Sequence, residues 1–238
     1  MMDFGDKEFE IRYARQIAVP EIGKTGQEKL KQSKVLIIGC GALGSMVAMQ
    51  LAGAGVGTIG IADFDNIDVS NLQRQFFFTE NEVGESKVEN LCKKIKSLNS
   101  QVDIVAYSSL ITKDKANELF ELYDFIVDAT DNPGSKKMIG EISMKHGKGC
   151  CVAGVRNFEG QVLSLCPGDY RFEEYFGAQA AEGFLPCSLG GVMGPVAAFC
   201  ASVQSMETIK YLTGSGSLLS GKLFLFNLLN NSFRIFSL

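Results

Sequence analysis

The chain has 238 residues, which is enough for one large domain or for a core with a small appendage. Its composition, with 46% hydrophobic and 21% charged residues, is typical of globular proteins, and its net charge of −4 argues against nucleic-acid binding. No apolar run reaches the roughly 18 residues of a membrane span, and the charged N-terminus lacks the apolar segment of a signal peptide. Seven scattered cysteines without a C-x-x-C pair favour a reduced, cytoplasmic setting.

The middle of the chain alternates predicted strands and helices. Apolar runs predict strands at about residues 34–39, 58–63, 101–107, 124–129 and 148–153. Helical spacing of apolar residues predicts helices at about residues 42–54, 84–98, 113–122 and 135–146. This alternation favours an α/β fold with a Rossmann-like, doubly wound and mostly parallel sheet.

The pattern changes in the last third of the chain. A strand is predicted at 160–166, and it is followed by a Gly-rich, irregular stretch at 167–193. Pro195 is suited to the first turn of a helix that runs to about residue 212. Two further apolar runs, at 223–228 and 232–236, predict a terminal hairpin. We therefore expect added antiparallel strands at the C-terminal edge of the sheet.

The first predicted strand runs directly into the pattern G-x-G-x-x-G at residues 39–44. Gly39 permits a tight turn, Gly41 lets the backbone approach a phosphate, and Gly44 lets helix and strand pack closely. Phosphates bind at such a helix N-terminus because its free N–H groups and dipole favour anions. Asp63 ends the next strand, where an acid grips ribose hydroxyls. The loop predicts a nucleotide, with NAD as one candidate and a tight turn without a ligand as the other interpretation.

A second polar cluster lies past the following strands. Asn71, Arg74 and Gln75 follow the second strand, Lys87 lies near the start of the next helix, and Asp131 follows the fourth strand. The carboxyl ends of these strands converge on one crevice. Two cations would offset phosphate charge, and a carboxylate would hold Mg²⁺. Taken singly, the arginine could be a surface ion pair, the lysine a solvated helix residue and the acid a helix cap. Their shared location favours a triphosphate site over a hydride-transfer site.

Longer motifs are spread over nearly the whole chain. They are Arg12-Tyr13-Ala14-Arg15-Gln16, Gly26-Gln27-Glu28-Lys29-Leu30, residues 39–44, Asp63-Phe64-Asp65, residues 70–75, Gly84 with Lys87, Thr130-Asp131-Asn132, Glu159-Gly160-Gln161, residues 191–195 and residues 207–210. Together these motifs resemble those of the ThiF/MoeB/HesA family, the bacterial relatives of ubiquitin-activating enzymes. The similarity is greatest to a ThiF-type sulfur-carrier adenylyltransferase.

The resemblance implies an ATP- and Mg²⁺-dependent nucleotidyltransferase. Its substrate would be the C-terminal Gly-Gly carboxylate of a ubiquitin-like sulfur carrier. That carrier would be ThiS-like and would act in thiamine synthesis. The alternative is MoeB-type adenylation of a MoaD-like carrier for molybdopterin. A sulfur-donor protein is a further expected partner. Other classes are a dinucleotide-binding oxidoreductase and a non-catalytic scaffold, and the polar cluster argues against both.

The resemblance also implies a role for each matched residue. Ribose would be bound by Asp63, phosphates by Asn71, Arg74 and Lys87, the nucleotide further by Asp65 and Gln75, and the metal by Asp131. Arg15 would reach the γ-phosphate of the neighbouring subunit's ATP, which implies a homodimer. The chain would be one adenylation domain with N-terminal helices at 1–32, a nucleotide-binding core at 33–153, and a carrier-binding and dimer region at 154–238.

The chain departs from the family at two places, the zinc-binding cysteines and residue 136, and it has one cysteine of special interest, Cys187. The two C-x-x-C pairs that hold a structural zinc in many relatives do not occur, so we expect no zinc. Cys187 lies just before the late G-V-x-G-P motif, where a cysteine of ThiF-like relatives can link covalently to the carrier. The family usually has an arginine where this chain has Lys136.

Overall fold

A computed structural model describes residues 4–168 and 190–238 of the chain. The helices in these ranges are α1 (Phe4–Ile17), α2 (Gly23–Gln32), α3 (Gly44–Ala54), α4 (Lys87–Leu98), α5 (Lys113–Phe120), α6 (Pro133–Lys145) and α7 (Gly194–Thr213). The strands are β1 (Lys34–Ile38), β2 (Thr58–Ala62), β3 (Asp103–Tyr107), β4 (Phe125–Asp128), β5 (Gly149–Arg156), β6 (Glu159–Leu165), β7 (Lys222–Asn227) and β8 (Ser232–Ser237).

All eight strands form one sheet in the order β3-β2-β1-β4-β5-β6-β7-β8. The first five pair in parallel, and the last three add in antiparallel fashion. The predicted α/β fold is therefore confirmed, with its mostly parallel sheet and its antiparallel C-terminal edge. Because the strand order reverses between β1 and β4, the carboxyl ends of these two strands form the switch point where ligands bind in such sheets.

A separate apolar core covers each face of the sheet. One core combines α3, α4 and α7 with alternate strand residues such as Ile37 and Cys151. The other combines α5 and α6 with the intervening residues, such as Ile38 and Cys150. Successive side chains of a strand point to opposite faces, so the adjacent Cys150 and Cys151 lie in different cores. Strands β1, β2 and β4 are buried on both faces, which explains their continuous apolar runs.

Strand β5 extends three residues beyond its predicted end at residue 153. The extension comes from antiparallel pairing with β6, which continues to the pair Arg156 and Glu159. Two residues then connect the strands, and Asn157 takes a positive φ of 52° there. Helix α7 begins and ends as predicted, with Pro195 in its first turn and Gly214 in a left-handed conformation at its end.

The N-terminal motifs attach α1 and α2 to the rest of the fold. Tyr13 is 3% exposed and accepts a hydrogen bond from Asn99. Gln27 is buried and donates to the carbonyl of Ala54 at the end of α3, and Gln16 donates to the Oε1 of Gln27 at 2.7 Å. These polar motif residues therefore form hydrogen bonds within the chain.

Within the described ranges, no helix is long and apolar enough to cross a membrane.

Candidate active site

A cleft of about 1300 Å³ opens at the carboxyl ends of β1, β2 and β4 and continues over the antiparallel strands. Nine of the residues predicted from the sequence line it: Gly39, Gly41, Asp63, Asp65, Asn71, Arg74, Gln75, Lys87 and Asp131. Gly44 lies behind this lining, in the first turn of α3. The structure thus brings the glycine loop and the second polar cluster to one place, as the strand ends require.

The three motif glycines differ in what they do for the fold. Gly39 has a φ of +95°, and a Cβ there would lie 2.7 Å from the carbonyl oxygen of Ala129. A Cβ on Gly44 would lie 1.8 Å from the carbonyl oxygen of Gly39. A Cβ on Gly41 would meet nothing closer than the Gln75 amide at 3.7 Å. The fold therefore requires glycine at the first and third positions, whereas the second leaves open space where a phosphate would lie.

The N-terminus of α3 faces this open space without a side-chain cap. Its N-cap residue, Leu43, makes no capping hydrogen bond. Uncapped N–H groups at a helix N-terminus favour an anion. The amide of Gln75 lies beside the loop and is only 4% exposed, and its Oε1 has no hydrogen-bond partner among the described residues. A buried amide oxygen without a partner is costly, so the site fits a polar ligand.

Asp63 is held rigidly at the end of β2. Its Oδ2 accepts a hydrogen bond from the N–H of Cys40 at 2.6 Å, and its Oδ1 accepts from the N–H of Asp65 at 2.8 Å. Each carboxylate oxygen has a further lone pair. The side chain is therefore fixed by the glycine loop and retains acceptors for ribose hydroxyls.

Lys87 is buried, so the interpretation of this residue as a solvated helix lysine is wrong. Its side chain is 6% exposed, and its Nζ lies 2.9 Å from Oδ2 of Asp65.

Arg74 donates to the carbonyl of Ser70 at 2.9 Å. It forms no ion pair with any described residue, so the surface ion pair considered for Arg74 does not occur in the described part of the chain. The two cations reach the cleft with donors still available for a phosphate.

Asp131 is not the cap of α6, contrary to the alternative interpretation. That role belongs to Asn132, whose Oδ1 accepts from the N–H of Ser135 at 2.7 Å. Asp131 itself is exposed in the cleft and has no hydrogen bond or ion pair in the described part of the chain. An uncommitted carboxylate beside a phosphate site fits Mg²⁺, which is commonly bound by one or two carboxylates together with phosphates and water.

A buried ion pair beneath this loop was not anticipated as part of the site. Lys136 is 4% exposed, and its Nζ donates to the carbonyl of Ala153 at 2.6 Å and lies 3.4 Å from Asp128. Asp128 is fully buried at the end of β4. The sequence signal was an acid within the apolar run Ile126-Val127-Asp128-Ala129, because buried acids are almost always paired.

The antiparallel part of the cleft has a floor of mixed polar and apolar residues. Cross-strand neighbours form two rows there, Gly154, Gln161, Leu225 and Arg234 in one and Arg156, Glu159, Asn227 and Ser232 in the other. Glu159 accepts a hydrogen bond from Asn227 at 2.8 Å. Neither Arg156 nor Arg234 has an ion-pair partner among the described residues. This floor is continuous with the nucleotide half and offers polar and cationic groups to an extended ligand.

Two predicted site residues remain, Arg15 and Cys187. Arg15 is exposed on α1 and does not line the cleft of its own chain, as a role in a neighbouring subunit requires. Cys187 falls outside the described residues. Both roles stay predictions.

Three of the described cysteines are buried in the core and are poor candidates for a nucleophile. Burial raises the pKa of Cys40 and Cys151 well above the usual thiol value, and it raises the pKa of Cys200 to about 12. These thiols therefore stay protonated at neutral pH. In the described ranges, no group of three or more His, Cys, Asp or Glu side chains could hold a metal ion. The expected lack of zinc remains a prediction, because residues 169–189 are not described.

Comparison with known proteins gives a family and a set of relatives. The family model described as ThiF family matches residues 13–238. The adenylyltransferase and sulfurtransferase MOCS3 of Aedes aegypti is 39% identical over 225 residues, which cover 94% of this chain and 52% of that protein. The probable adenylyltransferase/sulfurtransferase MoeZ of Mycobacterium tuberculosis is 35% identical over 229 residues, which cover 94% of this chain and 58% of that protein. The chain thus spans about half the length of these curated relatives.

Solved structures share the fold. A structure of PaaA superimposes with a TM-score of 0.83 at 24% identity and covers 99% of this chain and 74% of that chain. A structure of Escherichia coli MccB with ATP has a TM-score of 0.76 at 24% identity and covers 90% of this chain and 66% of that chain. At this level of identity the likeness extends to the fold alone.

Proposed function

Because the chain belongs to the ThiF family, we propose that it uses ATP to adenylate the C-terminal carboxylate of a ubiquitin-like sulfur carrier. The relatives named adenylyltransferase support this activity. Their names, MoeZ and MOCS3, favour the MoeB-type alternative, so the preferred carrier is MoaD-like rather than ThiS-like. A sulfur-donor protein is the further partner that the sulfurtransferase part of these names suggests.

One observation supports the proposal: a single cleft joins the glycine loop and its polar cluster to a floor on the antiparallel strands. A nucleotide would occupy the first part, with its phosphates at Gly41 and the N-terminus of α3 and its ribose at Asp63. The carrier's tail would lie over the second part, within 154–238. The α-phosphate and the tail carboxylate would then meet where the two parts join.

The chemistry needs positioning and charge neutralisation rather than a general base. A carboxylate is already ionised at neutral pH. One of its oxygens would attack the α-phosphorus, the bond from that phosphorus to the bridging oxygen would break, and pyrophosphate would leave with the electron pair. Lys87 and Arg74 would offset the charge on the phosphates, and the Asn71 amide would donate a hydrogen bond to them. Mg²⁺ held at Asp131 would neutralise phosphate oxygens in the same way.

A second copy of the chain would complete the site. Of the residues in the Arg12–Gln16 motif, Arg12, Tyr13 and Gln16 are engaged within the chain. Arg15 has no such contact with a described residue. It is therefore available to reach the γ-phosphate in the partner subunit of a homodimer.

Carrier-dependent exchange between ATP and pyrophosphate tests the proposal. Purified protein, Mg-ATP and radiolabelled pyrophosphate are incubated with a MoaD-like or a ThiS-like carrier, and label in ATP is measured. We expect exchange with the MoaD-like carrier and none when its terminal Gly-Gly is deleted. The absence of exchange with either intact carrier would contradict the proposed activity, whereas preference for the ThiS-like carrier would reverse only the choice of carrier.

An oxidoreductase is disfavoured by the same residues. Lys87, Arg74 and Asp131 place two cations and a free carboxylate where a dinucleotide enzyme would place its nicotinamide chemistry. Calorimetric titration with NAD is expected to give no binding, and saturable NAD binding that competes with ATP would reopen that assignment.

A further inference from the structure

The loop that carries Asp131 is held at both of its ends by one buried ion pair. At its start, Oδ1 of Asp128 accepts hydrogen bonds from the N–H of Thr130 at 2.9 Å and from its hydroxyl at 2.7 Å. At its end, Nζ of Lys136 in the first turns of α6 lies 3.4 Å from Oδ2 of the same Asp128. The segment 129–135 is thus closed into a short ring by a single carboxylate.

The ring is also tied to the strand on its other side. Nζ of Lys136 donates to the carbonyl of Ala153 on β5 at 2.6 Å. Gln204 on α7 donates to the backbone carbonyl of Asp128 at 2.9 Å. The ion pair of Asp128 and Lys136 therefore lies where the two parts of the cleft join, beside β4 and β5.

Stability alone gives no reason for this pair. Removing two charges from water is costly, and replacing a buried ion pair by apolar residues is often neutral or stabilising. The pair instead determines the course of the loop, because both ends of the loop are bound to the one carboxylate of Asp128. The loop presents Asp131 into the cleft with no contact of its own to a described residue, so its orientation depends on the ring and on the Asn132 cap within it.

We propose that Asp128 and Lys136 are positioning residues that aim Asp131 at the Mg²⁺ of the bound nucleotide. This inference rests on the proposed function. It assigns a role to Lys136, where the family usually has an arginine. A lysine can fill this position because the ring requires a donor to only two acceptors, the Ala153 carbonyl and the Asp128 carboxylate. The lysine ammonium has three N–H donors.

The test compares Lys136→Met with Lys137→Met. Lys137 is the adjacent residue, but it lies on the outer side of α6, where it is 55% exposed and pairs with Glu141 at 3.7 Å. Each variant is assayed for the Mg²⁺ concentration that gives half-maximal exchange and for Mg²⁺-dependent ATP binding by calorimetry without a carrier. Thermal unfolding is recorded alongside.

We expect Lys136→Met to raise the required Mg²⁺ concentration in both assays by about tenfold to a hundredfold, the usual effect of losing a group that orients a metal ligand. Lys137→Met should match the wild type, and Lys136→Arg should restore most of the loss. An unchanged Mg²⁺ requirement in folded Lys136→Met would overturn the inference. If that variant does not fold, Asp128→Asn carries the same test, since its amide oxygen can still accept from Thr130.

The two proposals can fail separately. If the wild type shows no carrier-dependent exchange, the proposed function fails and this inference fails with it. If the wild type exchanges and Lys136→Met has the wild-type Mg²⁺ requirement, only the positioning role is wrong.

Discussion

The two parts of the cleft are built in opposite ways. In the nucleotide part, Asp63 is fixed by two backbone N–H groups, Lys87 is buried against Asp65, and Gly44 admits no side chain. In the antiparallel part, Arg234 lies exposed on the edge strand β8 without an ion-pair partner among the described residues. The side chains of the first part are fixed by contacts within the chain, whereas the second part presents exposed charge to the cleft.

This difference suggests that one part of the cleft serves the reaction and the other serves the choice of protein partner. A rigid site is what positioning and charge neutralisation require. A carrier, in contrast, is selected by the fit of a whole surface, in which single exposed side chains contribute small increments. The rigid nucleotide half therefore suits the proposed adenylation, and the antiparallel half leaves the choice of the proposed carrier to experiment.

The largest effect is expected from Asp131→Ala. Loss of the carboxylate removes the metal ligand, and exchange should fall by about 10³-fold. Folding should be unaffected because Asp131 has no contact with a described side chain. Asp114→Ala is the matched control, since this exposed acid in the first turn of α5 lies outside the cleft lining. Exchange above a tenth of the wild-type rate would show that Asp131 does not carry the metal.

A smaller loss is expected from Lys87→Met. Replacing the buried ammonium leaves phosphate charge uncompensated, and kcat/KM for ATP in the exchange assay should fall by about 10²-fold. Asp65 is half exposed, so the carboxylate left behind can be solvated and the melting temperature should change little. Lys93→Met changes an exposed lysine on the same helix and should behave as wild type. Equal losses in both variants would contradict the assigned contact.

The smallest effect is expected in the antiparallel half. Arg234→Glu reverses a charge on the cleft floor and should change the KM for the carrier by about tenfold, while the KM for ATP stays the same. Lys222→Glu makes the same reversal on β7 outside the cleft lining and should leave both constants unchanged. A change in the KM for ATP would mean that the two parts are not independent.

The fold could be predicted because local signals agreed with one another. Strand–helix alternation, the glycine loop and the proline and glycine at the ends of α7 each fix their element through nearby residues. The length of β5 could not be predicted in the same way. Its last three residues pair with β6 through the register that ends at Arg156 and Glu159, and hydrophobic pattern does not reveal register.

The site was predictable as a set of residues but not as a set of contacts. Strand ends converge, so the polar residues that follow them had to share one crevice. The pairing of Lys87 with Asp65 and of Lys136 with Asp128 depends on how helices pack against the sheet. The cap of α6 is Asn132 and not Asp131, for which capping was only the alternative interpretation; sequence alone allows either residue because both types cap helices well.

ATP binding in the absence of any carrier tests the central claim, that the nucleotide half is preformed, most directly. Mg-ATP is titrated calorimetrically into the wild type, Gly41→Ala and Arg234→Glu. The space at Gly41 accepts a Cβ without a clash, so that variant should fold, yet the methyl group would occupy the place of a phosphate. We predict equal Kd values for the wild type and Arg234→Glu, and binding at least about tenfold weaker for Gly41→Ala. Wild-type affinity in Gly41→Ala, or weakened ATP binding in Arg234→Glu, would contradict the account.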